Sequence, residues 1–372
     1  MKMFSLKTEM HKFSTVKEFV EEFNICQTDL LVTNEFLYTP FMKDLNLKCQ
    51  VLFQEKYGVG EPTLEMIEAI FNDIQSKDVK RIIGIGGGTI IDISKILILK
   101  KPNNFLDLYD KKEVPVKDKE LVIVPTTCGT GSEVTNISVA IIPERHSKIG
   151  LVSNELIPDF GVLIPELVKT LPYKFFAHSS IDALIHAVES YISPKAISYT
   201  ELYSVSAIEM ILNGYKEILD KGPEYRTEIM EEFCVASNYA GIAFAIAGCG
   251  PVHALSFPLG GQYKVPHGES NYQLFTEVLK AYYRLDPTGK IVELNNMLRT
   301  LIGADENVDI YQALEVVLND IVPKKQLREY GMKEEEIVTF TDSVIASQQR
   351  LLVNAHSPLS KEDMMEIYRN LY

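Results

Sequence analysis

Asp182 and His186 stand four residues apart in Ser179-Ser-Ile-Asp182-Ala-Leu-Ile-His186-Ala-Val-Glu189, a run whose apolar residues recur at helical spacing. On a helix two such residues are neighbours on one face, close enough to hold one ion. Two more histidines, in Gly250-Pro-Val-His253-Ala-Leu and Val265-Pro-His267-Gly268, lie in segments punctuated by glycine and proline. One carboxylate and three imidazoles suit a divalent transition metal, iron or zinc. Taken singly, each histidine reads more simply as a packed core or helix-end residue.

A second chemistry is written in Arg81-Ile-Ile-Gly-Ile-Gly86-Gly87-Gly88-Thr89-Ile-Ile-Asp92-Ile-Ser-Lys95, a strand, a glycine turn and a helix start. Glycines let backbone approach a ligand closely, and the free N–H groups of a helix start suit a pyrophosphate. The stretch is no Rossmann fingerprint, because Thr89 stands where the third glycine of G-x-G-x-x-G belongs. Pro125-Thr126-Thr127-Cys128-Gly129-Thr130-Gly131-Ser132-Glu133 follows another strand and offers four hydroxyls. Two such loops at the carboxyl ends of parallel strands form the crevice where these sheets bind ligands.

The elements that must carry these groups fall into two halves. Asp29–Thr33, Cys49–Phe53, Arg81–Ile85, Leu121–Val124 and Gly161–Ile164 read as buried strands. Helical patterns alternate with them, one opened by a Thr15/Glu18 capping box and one with Pro62 at its first position. Strand and helix in alternation predict a parallel sheet covered on both faces. After Leu171-Pro172 helical periods fill 174–192, 199–219, 226–247, 269–284, 289–302, 308–322 and 333–352, with a last helix capped by Ser360 and Asp363. The expected organisation is an α/β domain over 1–170 and an all-helical domain over 171–372.

Composition bounds the partners. The chain has 372 residues, 46% apolar and 24% charged, with a formal net charge of −14. That charge excludes nucleic acid and anionic membrane as standing partners, and any anionic substrate needs a local positive site. The uncharged stretch from Phe233 to Tyr263 lacks the apolar run of about 18 residues that a membrane span needs. It reads as a buried helix leading into a loop. Five cysteines with no C-x-x-C spacing and no signal-peptide pattern predict reduced thiols in the cytoplasm.

Together these segments resemble the iron-containing alcohol dehydrogenase family over nearly the whole chain. GGGTIIDISK is similar to its GGGS-x-x-D-x-x-K turn and PTTCGTGSEVT to its nicotinamide-side loop. SSIDALIHAVESYIS resembles its DALTHAxExY helix, and VHALSFPLGGQYKVPHG its two-histidine segment, down to the spacing of His253 and His267. The resemblance implies a dehydroquinate synthase-like architecture, with a dinucleotide-binding α/β domain and an all-α metal domain. It implies Asp182, His186, His253 and His267 as ligands of Fe2+, with Zn2+ as the alternative. It places NAD against Gly86, Gly87, Gly88, Thr89, Thr126, Thr127 and Thr130, with Lys148 nearby.

Asn34 matches the position where many members place an aspartate on the adenosine ribose. It keeps a hydrogen-bonding group but not the charge that would repel a 2′-phosphate. Phe257 stands where many members have a second histidine that relays the alcohol proton. FQEKYGVGEPT, LPYKFF, SNYAGIAF, LREYGMKEEEI and QQRLLVN resemble the NAD-dependent branch that interconverts 4-hydroxybutyrate and succinate semialdehyde.

The implied reaction is hydride transfer from a hydroxyl activated by the metal to the nicotinamide. The substrate is then a small hydroxy acid or aldehyde, and the expected assembly is a homodimer. Alternatives within the architecture are a dehydrogenase for another short alcohol or diol, glycerol-1-phosphate dehydrogenase and dehydroquinate synthase. Phosphorylated substrates call for several basic groups, and between 176 and 263 only Lys195, Lys216, Lys221 and Arg226 occur besides histidine. A degenerate, non-enzymatic member is a further alternative, against which all four ligand positions are filled.

Overall fold

The computed structural model describes residues 3–142 and 147–372. The chain divides into two compact units, Met1–Leu171 and Pro172–Tyr372. The first unit carries a six-stranded parallel sheet of β1 (Glu9–Lys12), β2 (Asp29–Thr33), β3 (Gln50–Phe53), β4 (Arg81–Gly86), β5 (Glu120–Pro125) and β8 (Phe160–Leu163). Its order is β1-β8-β5-β4-β2-β3. A separate antiparallel pair joins β6 (Ile137–Ile142) to β7 (Ser147–Val152). The helices are α1 (Val16–Glu22), α2 (Glu35–Phe41), α3 (Leu64–Ile74), α4 (Gly88–Leu97), α5 (Phe105–Tyr109) and α6 (Pro165–Lys169).

Side-chain alternation on the strands explains why both faces are covered. Leu30, Val32, Ile82, Leu121 and Ile123 point into one core with residues of α3, α4 and α5. Leu31, Ile83, Ile85, Val122, Val124 and Val162 point into the other, with residues of α1, α2 and α6. The carboxyl ends of β2, β3, β4 and β5 therefore share one edge, held in register by pairs such as Thr33↔Phe53 and Gly86↔Pro125.

The second unit is helical: α7 (Tyr173–Ile192), α8 (Ser198–Lys221), α9 (Met230–Ala247), α10 (Pro251–Tyr263), α11 (His267–Leu285), α12 (Lys290–Ile302), α13 (Ile310–Ile321), α14 (Glu336–Ser347), α15 (Gln349–Leu352) and α16 (Lys361–Leu371). α7 is buried almost all round, as a helix at the centre of a bundle must be. Phe176 of α7 meets Phe233 of α9 edge-on at 4.8 Å between centroids. Among the described residues no single helix is long and apolar enough to cross a membrane.

Three local expectations change. Residues 251–263 form a helix rather than a loop, opened by Pro251 at its first position and accommodating Pro258 inside. Pro62 is not helical, because the Thr63 hydroxyl accepts from the Met66 N–H and caps a helix that starts at Leu64. β1, β6, β7, α2, α5 and α6 are additional elements.

Candidate active site

The helical unit gathers a metal-ligating set from three helices. On α7, His178, Asp182, His186 and Glu189 follow at intervals of four, four and three, one polar stripe on an otherwise apolar helix. His253 comes from the first turn of α10, and His267 is the first residue of α11. Gly268 explains how α11 gets there. A Cβ at this position would lie 2.5 Å from the His178 carbonyl oxygen and 3.3 Å from the Asp182 Cβ. Only glycine lets α11 begin against the backbone of α7.

The ligand atoms of Asp182, His186, His253 and His267 all lie within 4.8 Å of one another. Nε2 of His253 is 3.9 Å from Oδ1 of Asp182, and Nε2 of His267 is 3.8 Å from Oδ2. Ligands on bonds of about 2.1 Å around a tetrahedral ion sit about 3.4 Å apart, so the set fits a first-row divalent metal. The Nε2 of His253 is buried without a hydrogen-bond partner, as a nitrogen kept for a metal would be. Asp182, His186 and His253 are buried while the His267 side chain is 36% exposed, which leaves one open side. Burial alone would raise the Asp182 carboxyl, but the surrounding imidazoles and the Asn271 amide outweigh it and hold the group below its ordinary range.

Second contacts fix these groups. Glu189 accepts from the backbone N–H of Gly250 at 2.9 Å and of Val252 at 2.7 Å, and lies 2.6 Å from Nδ1 of His253. A carboxylate there holds the proton on Nδ1 and turns the Nε2 lone pair inward. Asn271, one turn after His267, donates to Oδ1 of Asp182 at 2.7 Å and accepts from Ser256. Phe257 is buried, its ring centroid 6.2 Å from that of His267.

The α/β unit builds a separate cradle at the end of β4. A Cβ at Gly84 or Gly86 would strike Ser94 or Ile90 at 2.5 and 2.4 Å, so close strand–helix packing requires those two glycines. Gly87 and Gly88 are different. A Cβ there would meet only Thr127 at 3.6 Å and Thr130 at 3.5 Å, ordinary contact distances. Protein packing does not require glycine at 87 and 88, and backbone left bare at a helix start is what a phosphate approaches. The Thr127 hydroxyl is buried with no hydrogen-bond partner, which suits a group waiting for a ligand oxygen. Thr126 donates its N–H to Gly86 at 3.0 Å and so ties the threonine loop to the turn.

Lys95 secures the same loop from below. Its ammonium lies 2.8 Å from the hydroxyls of Ser132 and Thr135 and 2.8 Å from the Ile137 carbonyl. Burial pushes this amine below the ordinary lysine value, against the pull of the Asp92 and Glu133 carboxylates. Thr89 donates to the Gly60 carbonyl at 3.0 Å, and the next residue, Glu61, holds Lys148 at 2.6 Å. Lys148 is thus tied to the glycine turn through an ion pair. Asn34 lies at the end of β2, its amide 2.8 Å from Glu55.

The family model for iron-containing alcohol dehydrogenases matches residues 7–165, and that for the C-terminal part of Fe-containing alcohol dehydrogenases matches 176–372. The chain belongs to the iron-containing alcohol dehydrogenase family. Among curated members, the 4-hydroxybutyrate dehydrogenase of Clostridium kluyveri is 54% identical over 372 residues, covering all of both chains. Among solved structures, an archaeal halo-thermophilic alcohol dehydrogenase of a Red Sea brine pool superposes with a TM-score of 0.86 at 19% identity, over 100% of this chain and 99% of that one. Sulfoacetaldehyde reductase from Bifidobacterium kashiwanohense, solved with NAD+, gives 0.83 at 21% identity, over 100% and 98%. At these identities the structures speak for the fold alone.

Sequence reasoning on this dehydrogenase chain left three residues without a role: Glu189, Asn271 and Glu55. Glu189 and Asn271 carried a signal in their spacing, one helical repeat from His186 and from His267. Glu55 carried none, since its contact with Asn34 depends on the pairing of β2 with β3.

Proposed function

We propose that this chain is an NAD-dependent, iron-dependent oxidoreductase that interconverts 4-hydroxybutyrate and succinate semialdehyde. Identity of 54% along the entire length of the Clostridium kluyveri enzyme carries the reading. A homodimer in the cytoplasm goes with it, and light scattering tests the assembly.

In this reading Asp182, His186, His253 and His267 hold the metal, and the Gly86–Gly88 turn with Thr126, Thr127 and Thr130 holds the dinucleotide. When bound, the metal supplies Lewis acidity to an alcohol oxygen and NAD supplies the hydride acceptor. The chain's own part is orientation and charge. Glu189 fixes the tautomer and direction of His253, and Asn271 fixes the Asp182 carboxylate. Phe257 sets an apolar ring beside His267, at the position where many family members have a histidine.

The test is kcat/KM with NAD on 4-hydroxybutyrate and on 1-butanol, followed by NADH absorbance. One charge-assisted contact to the substrate carboxylate, at about 1.5–3 kcal/mol, favours 4-hydroxybutyrate by more than about tenfold. Equal efficiency on the two would leave a generic alcohol dehydrogenase and end the substrate reading.

A further inference from the structure

The residue that directly follows β2 carries no charge where its position calls for one, and the acidic Glu35 after it opens the exposed first turn of α2. In a parallel sheet that binds a dinucleotide, the pyrophosphate sits on a glycine turn and helix start. An acidic side chain near the end of the adjoining strand then accepts from the adenosine ribose 2′-hydroxyl and repels a 2′-phosphate. Here the turn ends β4, and the adjoining strand is β2. The residue that follows β2 is Asn34, which is neutral.

The next strand out, β3, delivers a carboxylate to the same spot. Thr33 pairs with Phe53, so the segments that follow, Asn34 and Gln54-Glu55, leave the sheet side by side. Glu55 accepts the Asn34 amide on one oxygen at 2.8 Å and the Glu35 backbone N–H on the other at 2.6 Å. Each carboxylate oxygen uses one lone pair in these bonds and keeps another. We propose that Glu55, positioned by Asn34, is the residue that selects NAD over NADP. The inference rests on the dinucleotide reading of the Gly86–Gly88 turn and adds the determinant of its specificity.

Glu55 is ionised where it stands. Burial alone would raise its carboxyl, but the Glu35 N–H and the Asn34 amide outweigh that and keep it below the ordinary glutamate value. Its neighbour Lys56 lies over the Phe53 ring at 5.2 Å and would favour a 2′-phosphate. The two adjacent side chains therefore pull in opposite directions. The carboxylate, anchored from two sides, decides the outcome over a flexible ammonium.

Binding of NADH and NADPH to the purified holoenzyme, read from nicotinamide fluorescence, tests this in wild type, Glu55→Gln, Glu55→Ala and Asn34→Ala. Wild type should bind NADH at least about tenfold more tightly than NADPH. Both Glu55 variants should cut that ratio by about tenfold, chiefly by tightening NADPH, with Asn34→Ala shifting it less. Gln can still accept the Glu35 N–H, so a capping role alone would leave Glu55→Gln near wild type. Folded Glu55 variants that keep the wild-type ratio, or that lose both nucleotides in step, overturn the proposal. So does a wild type that binds the two equally. A wild type that binds neither nucleotide refutes the dinucleotide reading itself.

Discussion

Glu189 and His253 come from different helices and meet through a 2.6 Å contact between Oε2 and Nδ1. The same carboxylate caps the start of α10 through the N–H groups of Gly250 and Val252. One side chain therefore sets both where α10 begins and which ring nitrogen of His253 faces Asp182. In Glu189→Gln the amide NH2 would confront an N–H donor, and the carboxylate charge that holds the proton on Nδ1 would vanish. Metal affinity, measured by competition with a chelator, should fall by about 10–100-fold. An unchanged affinity would reduce Glu189 to a helix cap.

His267 tests the four-residue set directly. It is the most exposed of the four and stands at the first position of α11, where alanine is tolerated. His267→Ala should lose activity and metal content while keeping its circular dichroism spectrum. A variant that retains both metal and turnover removes His267 from the set.

The extent to which this site was legible follows the range of the interactions. Asp182 and His186 are four residues apart on a helix with clear periodicity, so their meeting is a local fact. The course of α10 was not legible, because Pro258 and the Gly260-Gly261 pair look like loop punctuation while tertiary packing keeps the helix. Gly268 reads as a turn residue until α7 is seen to press against it. β6 was hidden for another reason. It buries Ser138, whose hydroxyl donates to the Asp92 carbonyl at 2.9 Å, and Ala140, while Ile137 and Val139 are less buried. The hydrophobic alternation that marks a strand is inverted there.

Acid stability should depend on Glu315. It accepts from Thr276 at 2.6 Å and Lys324 at 2.8 Å, with Lys280 at 3.3 Å. Burial opposes ionisation, but these cations and the hydroxyl win and lower the carboxyl from 4.5 to about 2. A folded value below the unfolded one gives stability that is complete above about pH 4.5 and is lost as pH falls toward 2. With its part exposure discounted, the contribution at neutral pH is about 2 kcal/mol. Urea unfolding of Glu315→Gln should show that deficit at pH 7, closing between pH 4.5 and 2. A deficit that does not change over this range would assign Glu315 no linked proton.

Phe257 is the most exposed of these expectations to kinetic test. It lies one turn after His253 on α10, buried, with its ring beside His267. An apolar ring at that place has two separable consequences. If it packs against the methylene chain of 4-hydroxybutyrate, Phe257→Ala raises KM several-fold with metal still bound, and Phe257→Leu, which keeps most of the apolar volume, raises it less. The Ala variant will also lose about 3 kcal/mol of stability from the cavity, so melting curves must show it folded at the assay temperature. If no histidine relay is needed here, Phe257→His should shift the pH profile of kcat/KM toward the imidazole range near pH 6.5 and change the maximal rate less. Wild-type KM in folded Phe257→Ala, with an unaltered pH profile in Phe257→His, would place Phe257 in the core packing of α10 and outside the reaction.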